Sequence, residues 1–264
     1  MGQNIQGRNA EEAIRKGNVQ ELIAALSEGA DADQILKSGD RLIHEATEKN
    51  DALLVGTLLR LGANPNAQDA LGDTALHRAA EKNFTGSAII LLDNNADPSV
   101  FSVRGDAPAH RAARYGSRDV LIVMLSRGVK PDIRHEVDGQ TPLHLASLYD
   151  QASAAETLLE HGAEVDATDS EQQTPLMMAA RLGNLKVVDL LLRHKAAVNL
   201  QDAEGRTAII WAATKGDWPK VVASLVNAGA QVGLRDRTGN TALSCANLLG
   251  HQKTAQILRQ STAA

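Results

Sequence analysis

GQTPLHLASLYD, residues 139–150, and QQTPLMMAARLG, residues 172–183, are one segment met twice, and they decide the fold. The same pattern appears upstream as GDRLIHEATEKN from Gly39, GDTALHRAAEKN from Gly72 and GDAPAHRAARYG from Gly105. Downstream it returns as GRTAIIWAATKG from Gly205 and GNTALSCANLLG from Gly239. The steps between the seven starts are 33, 33, 34, 33, 33 and 34 residues. A degenerate earlier copy, AEEAIRKGNVQELIAALSEGAD (10–31), puts Gly17 in register with Asn50. A fixed period of this length marks a stack of small units, each unable to bury its own apolar face alone.

Each part of the repeat has a physical purpose. Thr74, Thr141, Thr174, Thr207 and Thr241 are suited to cap a helix whose first amides lack partners. Pro108, Pro142 and Pro175 stand at the first helical position, where a missing N–H costs nothing. Paired small residues such as Ala79-Ala80 and Ala179-Ala180 let this first helix lie close to its neighbours. The series Gly17, Asn50, Asn83, Gly116, Asp150, Gly183, Gly216 and Gly250 predicts a left-handed residue ending it. A second helix follows with apolar residues at helical spacing, as in Val187, Val188, Leu190 and Leu191. Lys195 stands where other copies place a terminal Gly, which predicts local backbone strain or a changed cap.

Bulk composition narrows the function. The 264 residues are 43% hydrophobic but only 2% aromatic, so Ala, Leu, Ile and Val must fill the core. A net charge of −5 offers no overall surplus of cations for nucleic acid or an anionic membrane. Cys245 is the only cysteine, which excludes an internal disulfide and a Cys-rich metal site. No apolar run reaches the ~18 residues of a membrane span, and the N-terminus lacks a signal-peptide core. A cytoplasmic chain, monomeric alone and without cofactor, is the expectation. Met1-Gly2 is followed by Gln6 where an acylation motif wants Ser or Thr.

TPLHLAS (141–147), DTALHRAA (73–80) and LLRLGANPNAQD (58–69) closely resemble the ankyrin repeat. The resemblance covers residues 9–260, in units near 9–35, 36–68, 69–101, 102–135, 136–168, 169–201, 202–235 and 236–260. Residues 1–8 form a short leader and 261–264 a tail in this reading. The fold it implies is an all-α solenoid of about eight helix-turn-helix units, with short β-hairpin fingers and a concave binding groove. The function it implies is non-enzymatic: a scaffold, adaptor or regulatory inhibitor that binds a protein. A receptor for a nucleotide or other small phosphorylated ligand, held by Arg114, Tyr115 and Tyr149, is the alternative.

Four histidines, His44, His77, His110 and His144, recur once per repeat. A metal or catalytic site needs them to converge, whereas stacked layers spread them along a line roughly 10 Å apart. The resemblance makes them hydrogen-bonding ties between units. His135, His161, His194 and His251 fall elsewhere and read as solvated loop residues. Cys245 lacks a neighbouring base and reads as a packed thiol. Single-residue insertions lengthen the stretch between Asp132 and Gly139 and the one at Trp218-Pro219.

In ankyrin stacks the contact face combines finger tips with the last turn of each first helix. Carried onto this chain, that face gives Arg104, Arg114, Tyr115, Leu148, Tyr149, Arg181, Leu182 and Arg206 as protein-binding residues. Both tyrosines of the protein are among them, and Tyr and Arg dominate binding hot spots. Between Ser102 and Arg134 seven cations face three acids. That surplus predicts a partner with an acidic or phosphorylated segment.

Overall fold

The computed structural model describes residues 5–262, and they fall into two compact units. The first, ending at Val137, holds α1 (Ile5–Lys16), α2 (Val19–Ser27), α3 (Leu42–Glu48), α4 (Ala52–Arg60), α5 (Ala75–Lys82), α6 (Thr85–Asp93), α7 (Pro108–Tyr115) and α8 (Arg118–Ser126). The second, from Asp138, holds α9 (Pro142–Leu148), α10 (Ala152–Glu160), α11 (Pro175–Leu182), α12 (Leu185–Arg193), α13 (Ala208–Lys215), α14 (Pro219–Asn227), α15 (Ala242–Leu249) and α16 (Gln252–Thr262). Met1-Gly2 lies outside the described residues, and α1 starts at Ile5, inside the stretch read as leader.

Within each unit like packs on like. First helices of successive pairs stack (α3 on α5, α5 on α7; α9 on α11, α11 on α13, α13 on α15), and second helices do the same. The small residues set this spacing: Ala79, Ala80, Ala112 and Ala113 in one unit, and Ala179, Ala180, Ala212 and Ala213 in the other, are completely buried. Leu58, Leu91, Leu158, Leu191 and Leu225 fill the layer beside them, each worth ~1.5–3 kcal/mol of burial.

The helix starts are built differently from a simple threonine cap. In the four histidine-bearing repeats the ring Nδ1 accepts the backbone N–H three residues earlier, from Arg41, Thr74, Ala107 and Thr141, at 3.0–3.1 Å. With Nδ1 an acceptor, the proton of the neutral ring sits on Nε2. That Nε2–H donates to the next tip's carbonyl: His44 to Asp73 (2.9 Å), His77 to Asp106 (3.0 Å) and His144 to Gln173 (3.0 Å). Thr74 and Thr141 bond the ring rather than an amide. Where Met177 or Ser244 replaces histidine, the threonine returns to amide capping, Thr174 taking Met177 N–H and Thr241 taking Ser244 N–H. Beside Ile210, the buried hydroxyl of Thr207 has no partner.

The β-hairpin fingers of the sequence reading are not there. Among the described residues the only extended pairing is one isolated bridge, Ile35 with Arg41. The tips close instead as aspartate-braced loops: Asp69 Oδ1 accepts the amides of Leu71 (2.7 Å) and Asp73 (2.9 Å). Asp169, Asp202 and Asp236 repeat that pattern on the amides two and four residues on. One side chain thus satisfies two donors that a ladder would otherwise need. Adjacent tips share single backbone bonds, such as Val103 N–H to Leu71 O and Ala203 N–H to Glu171 O, both 2.9 Å. One bond per tip makes no strand.

The left-handed series holds at Gly17, Asn50, Asn83, Gly116, Asp150, Gly183 and Gly250 and fails at Gly216, whose φ is −175°. The cause is the inserted Trp218-Pro219: the indole of Trp218 lies on both Gly183 and Gly216, where an added Cβ would come within 2.5 and 2.3 Å of the ring. Lys195 is left-handed at φ 64°, as its slot predicts, and Gln172 and Asn95 join it.

Candidate protein-binding surface

One slot in the first helix separates the two units chemically. In the first unit it is charged, Glu45 in α3 and arginine in α5 and α7. Arg78 bonds Asp69 (2.6 Å), Asp40 (3.1 Å) and Glu48 (3.1 Å), reaching back into the preceding repeat. Arg111 is buried and bonds Asp73 (2.9 Å), Glu81 (3.1 Å) and Asp106. Each guanidinium therefore clamps two repeats together. Burial pushes the Asp73 carboxyl up from the ordinary aspartate range despite Arg111 beside it. Burial acts on Asp106 in the same direction, but hydrogen bonds from Arg111 and Ser102 outweigh it and hold that carboxyl low.

These pairs meet part of the local cation surplus inside the fold. Arg111 is spent on internal acids, and Arg127 pairs with Asp93 at 2.9 Å. Asp73, Glu81 and Asp93 all precede Ser102, so a tally that starts there misses the residues that neutralise its cations.

The buried histidines are structural, as their spacing predicts. Burial lowers the His77 pKa to about 4 and lowers that of His44. Of the histidines read as solvated, His251 bonds Ala213 O and His161 bonds Thr157 O, both at 2.8 Å, while His135 meets His110 edge-on at 5.7 Å. The lengthened stretch before Gly139 carries that histidine, and its Glu136 N–H bonds Gly105 O at 2.9 Å. Cys245 is a buried free thiol.

In the first unit the structure puts Arg104 on an exposed tip, Arg114 half-buried on the last turn of α7, and Tyr115 beside it at 50% exposure. In the second unit Leu148 ends α9 half-buried, Tyr149 follows at 40% exposure, and Leu182 ends α11 at 45%. Arg181 and Arg206 come together over a residue the sequence reading passed by, Trp211. Trp211 occupies the slot of Arg78 and Arg111, which is the signal that could have found it. Arg206 lies 4.0 Å from the ring centre, Arg181 5.3 Å and Lys215 5.8 Å. The indole N–H donates to Asp202 Oδ2 (2.9 Å), and Arg206 Nε donates to the same oxygen (3.0 Å).

Stacked helix pairs at this period, tied by histidine and braced at each tip, define a repeat scaffold. The family profile described as ankyrin repeats (3 copies) matches residues 11–102, 109–202 and 176–264, and the chain belongs to that family. The crystal structure of the human ASB11 ankyrin repeat domain is similar at a TM-score of 0.75 and 26% identity, covering 83% of this chain and 96% of that one. No curated protein matches the chain at a significant level. The chain is a non-enzymatic protein-binding scaffold that works through the groove of its repeats. No helix among the described residues is long and apolar enough to cross a membrane.

Proposed function

We propose that the scaffold holds its partner on the helix ends and tips: Arg104, Arg114 and Tyr115 in the first unit, and Leu148, Tyr149, Arg181, Leu182 and Arg206 in the second. We further propose that the partner presents an acidic or phosphorylated segment. The observation carrying this reading is the exposure of Tyr115, Tyr149 and Leu182 at one equivalent helix-end slot. A protein with so few aromatic residues leaves both tyrosines 40–50% open to solvent, where rings usually anchor partners. The acidic preference is supported in the second unit by Arg181, Arg206 and Lys215, which gather around the Trp211 ring with only Arg206 paired to a carboxylate, Asp202.

Selection of peptides from a display library against the full chain tests this. Acidic or phosphorylated sequences are expected to be enriched, and Tyr115→Ala with Tyr149→Ala is expected to cost about 2 kcal/mol or more of affinity without unfolding the protein. Enrichment of basic or purely apolar peptides, or wild-type affinity in the folded double variant, contradicts it.

A further inference from the structure

The Trp211 cluster is more specific than a basic patch. Three cationic heads stand within 5.8 Å of one ring centre, and of the three only Arg206 is paired with a carboxylate, Asp202. Like charges gathered this closely repel one another, and the indole's negative face offsets only part of that, about 0.5–2 kcal/mol per cation. The arrangement is also fixed. Trp211 is buried, its N–H is held by Asp202, and Asp202 is itself held by the amides of Glu204 and Arg206.

Arg206 spends its flat face on the indole and its Nε–H on Asp202, which leaves both Nη groups without a bond among the described residues. Arg181 makes only a 3.7 Å contact from Nη2 to the sulfur of Met178, and Lys215 is exposed. The buried Asp169 also lies in the field of Arg181, but its Oδ1 is taken by the amides of Glu171 and Gln173, and burial raises its pKa. Glu171 accepts from Gln173 Nε2 (2.7 Å) rather than from any of the three cations.

Arg206 has Asp202 as its bonded carboxylate, Arg181 has only the field of Asp169, and Lys215 has neither, so the cations outnumber the acids that face them. A phosphorylated serine or threonine carries ~1.5–2 negative charges at pH 7 and three acceptor oxygens, whereas a carboxylate carries one charge. We infer that Arg181, Arg206 and Lys215, positioned by Trp211 and Asp202, form a receptor for a phosphoryl group on a segment of the partner protein. This rests on the reading that the partner is acidic or phosphorylated, and it names the pocket and the group. The two Nη groups of Arg206 supply a planar fork for two phosphoryl oxygens, and Lys215 supplies a mobile point charge at the rim.

The test is a titration of the full-length protein with inorganic phosphate at constant ionic strength, followed by nitrogen-15 NMR. The Trp211 indole N–H and Arg206 Nε–H signals are expected to shift saturably. The Nε–H of Arg111, enclosed by Asp73, Glu81 and Asp106, is expected to stay in place. Arg206→Gln and Lys215→Gln, each checked for folding by circular dichroism, are expected to weaken phosphate by about tenfold, the value of one charge-assisted hydrogen bond. Lys215 is exposed, so its variant tests the pocket even if Arg206→Gln unfolds.

A second arm compares a phosphoserine peptide with its glutamate counterpart and with adenosine diphosphate, and the phosphopeptide is expected to bind most tightly. An unsaturable shift, unchanged affinity in Lys215→Gln, or tighter binding of the nucleotide overturns the proposal. If an acidic partner peptide still binds while phosphate does not, this pocket is refuted and the broader scaffold reading survives.

Discussion

Replacing Gly183 by alanine should destabilise the second unit for two separable reasons. The first is backbone: φ is +77°, and a side chain in the left-handed region costs ~1–2 kcal/mol. The second is contact: the new Cβ would sit 2.5 Å from Trp218 Cδ2, so the indole must retreat by nearly 1 Å to reach ordinary contact distance. Overpacking of that kind costs ~1–3 kcal/mol. Gly250 provides the control, because it has the same backbone (φ +74°) and nothing within 4 Å of an added Cβ. Urea unfolding followed by far-UV circular dichroism should therefore show Gly250→Ala losing ~1–2 kcal/mol and Gly183→Ala losing more by the contact term. In a Trp218→Ala background the excess should vanish. Equal losses for the two glycines, or an excess that survives removal of the indole, would show that the Trp218 contact contributes nothing.

Other outcomes follow from the buried charges and turns. His77 is buried as the neutral ring with its pKa lowered to about 4, so the unfolded chain binds the extra proton first as pH falls. Stability should be complete above pH ~6.5 and decline towards pH 4, by ~3 kcal/mol for this residue, measurable as the urea midpoint against pH. Arg111→Met strands the buried carboxylates of Asp73 and Asp106 and should cost ~3–5 kcal/mol at pH 7. That loss should shrink as pH falls, because Asp73 already takes up a proton more readily than usual. Lys195→Gly relieves a left-handed lysine and should raise stability by up to ~1 kcal/mol in thermal melts.

Much of this was legible in the sequence because the signals are local. The period, the prolines at helix starts, the small-residue pairs and most left-handed turns each need only a few adjacent residues to be read. Gly216 escaped because the insertion that follows it brings Trp218 across the turn. The absent hairpins were legible in principle, since an aspartate recurs three residues before each tip glycine in the QDALGDT and QDAEGRT segments, and its side chain replaces a strand ladder. The arginine clamps were not legible. Arg78 reaches Asp40 and Arg111 reaches Asp73 across 38 residues of sequence, a pairing that exists only once the repeats are stacked. The cluster at Trp211 was missed for the same reason, although Arg181 and Arg206 had been singled out separately.

Amide hydrogen exchange of the full chain, with and without a selected acidic peptide, shows whether the partner runs over helix ends and tips. Protection is expected in the last turns of α7, α9, α11 and α13 and in the tips holding Arg104 and Arg206. Protection confined to the second helices, α8, α10 and α12, would contradict it.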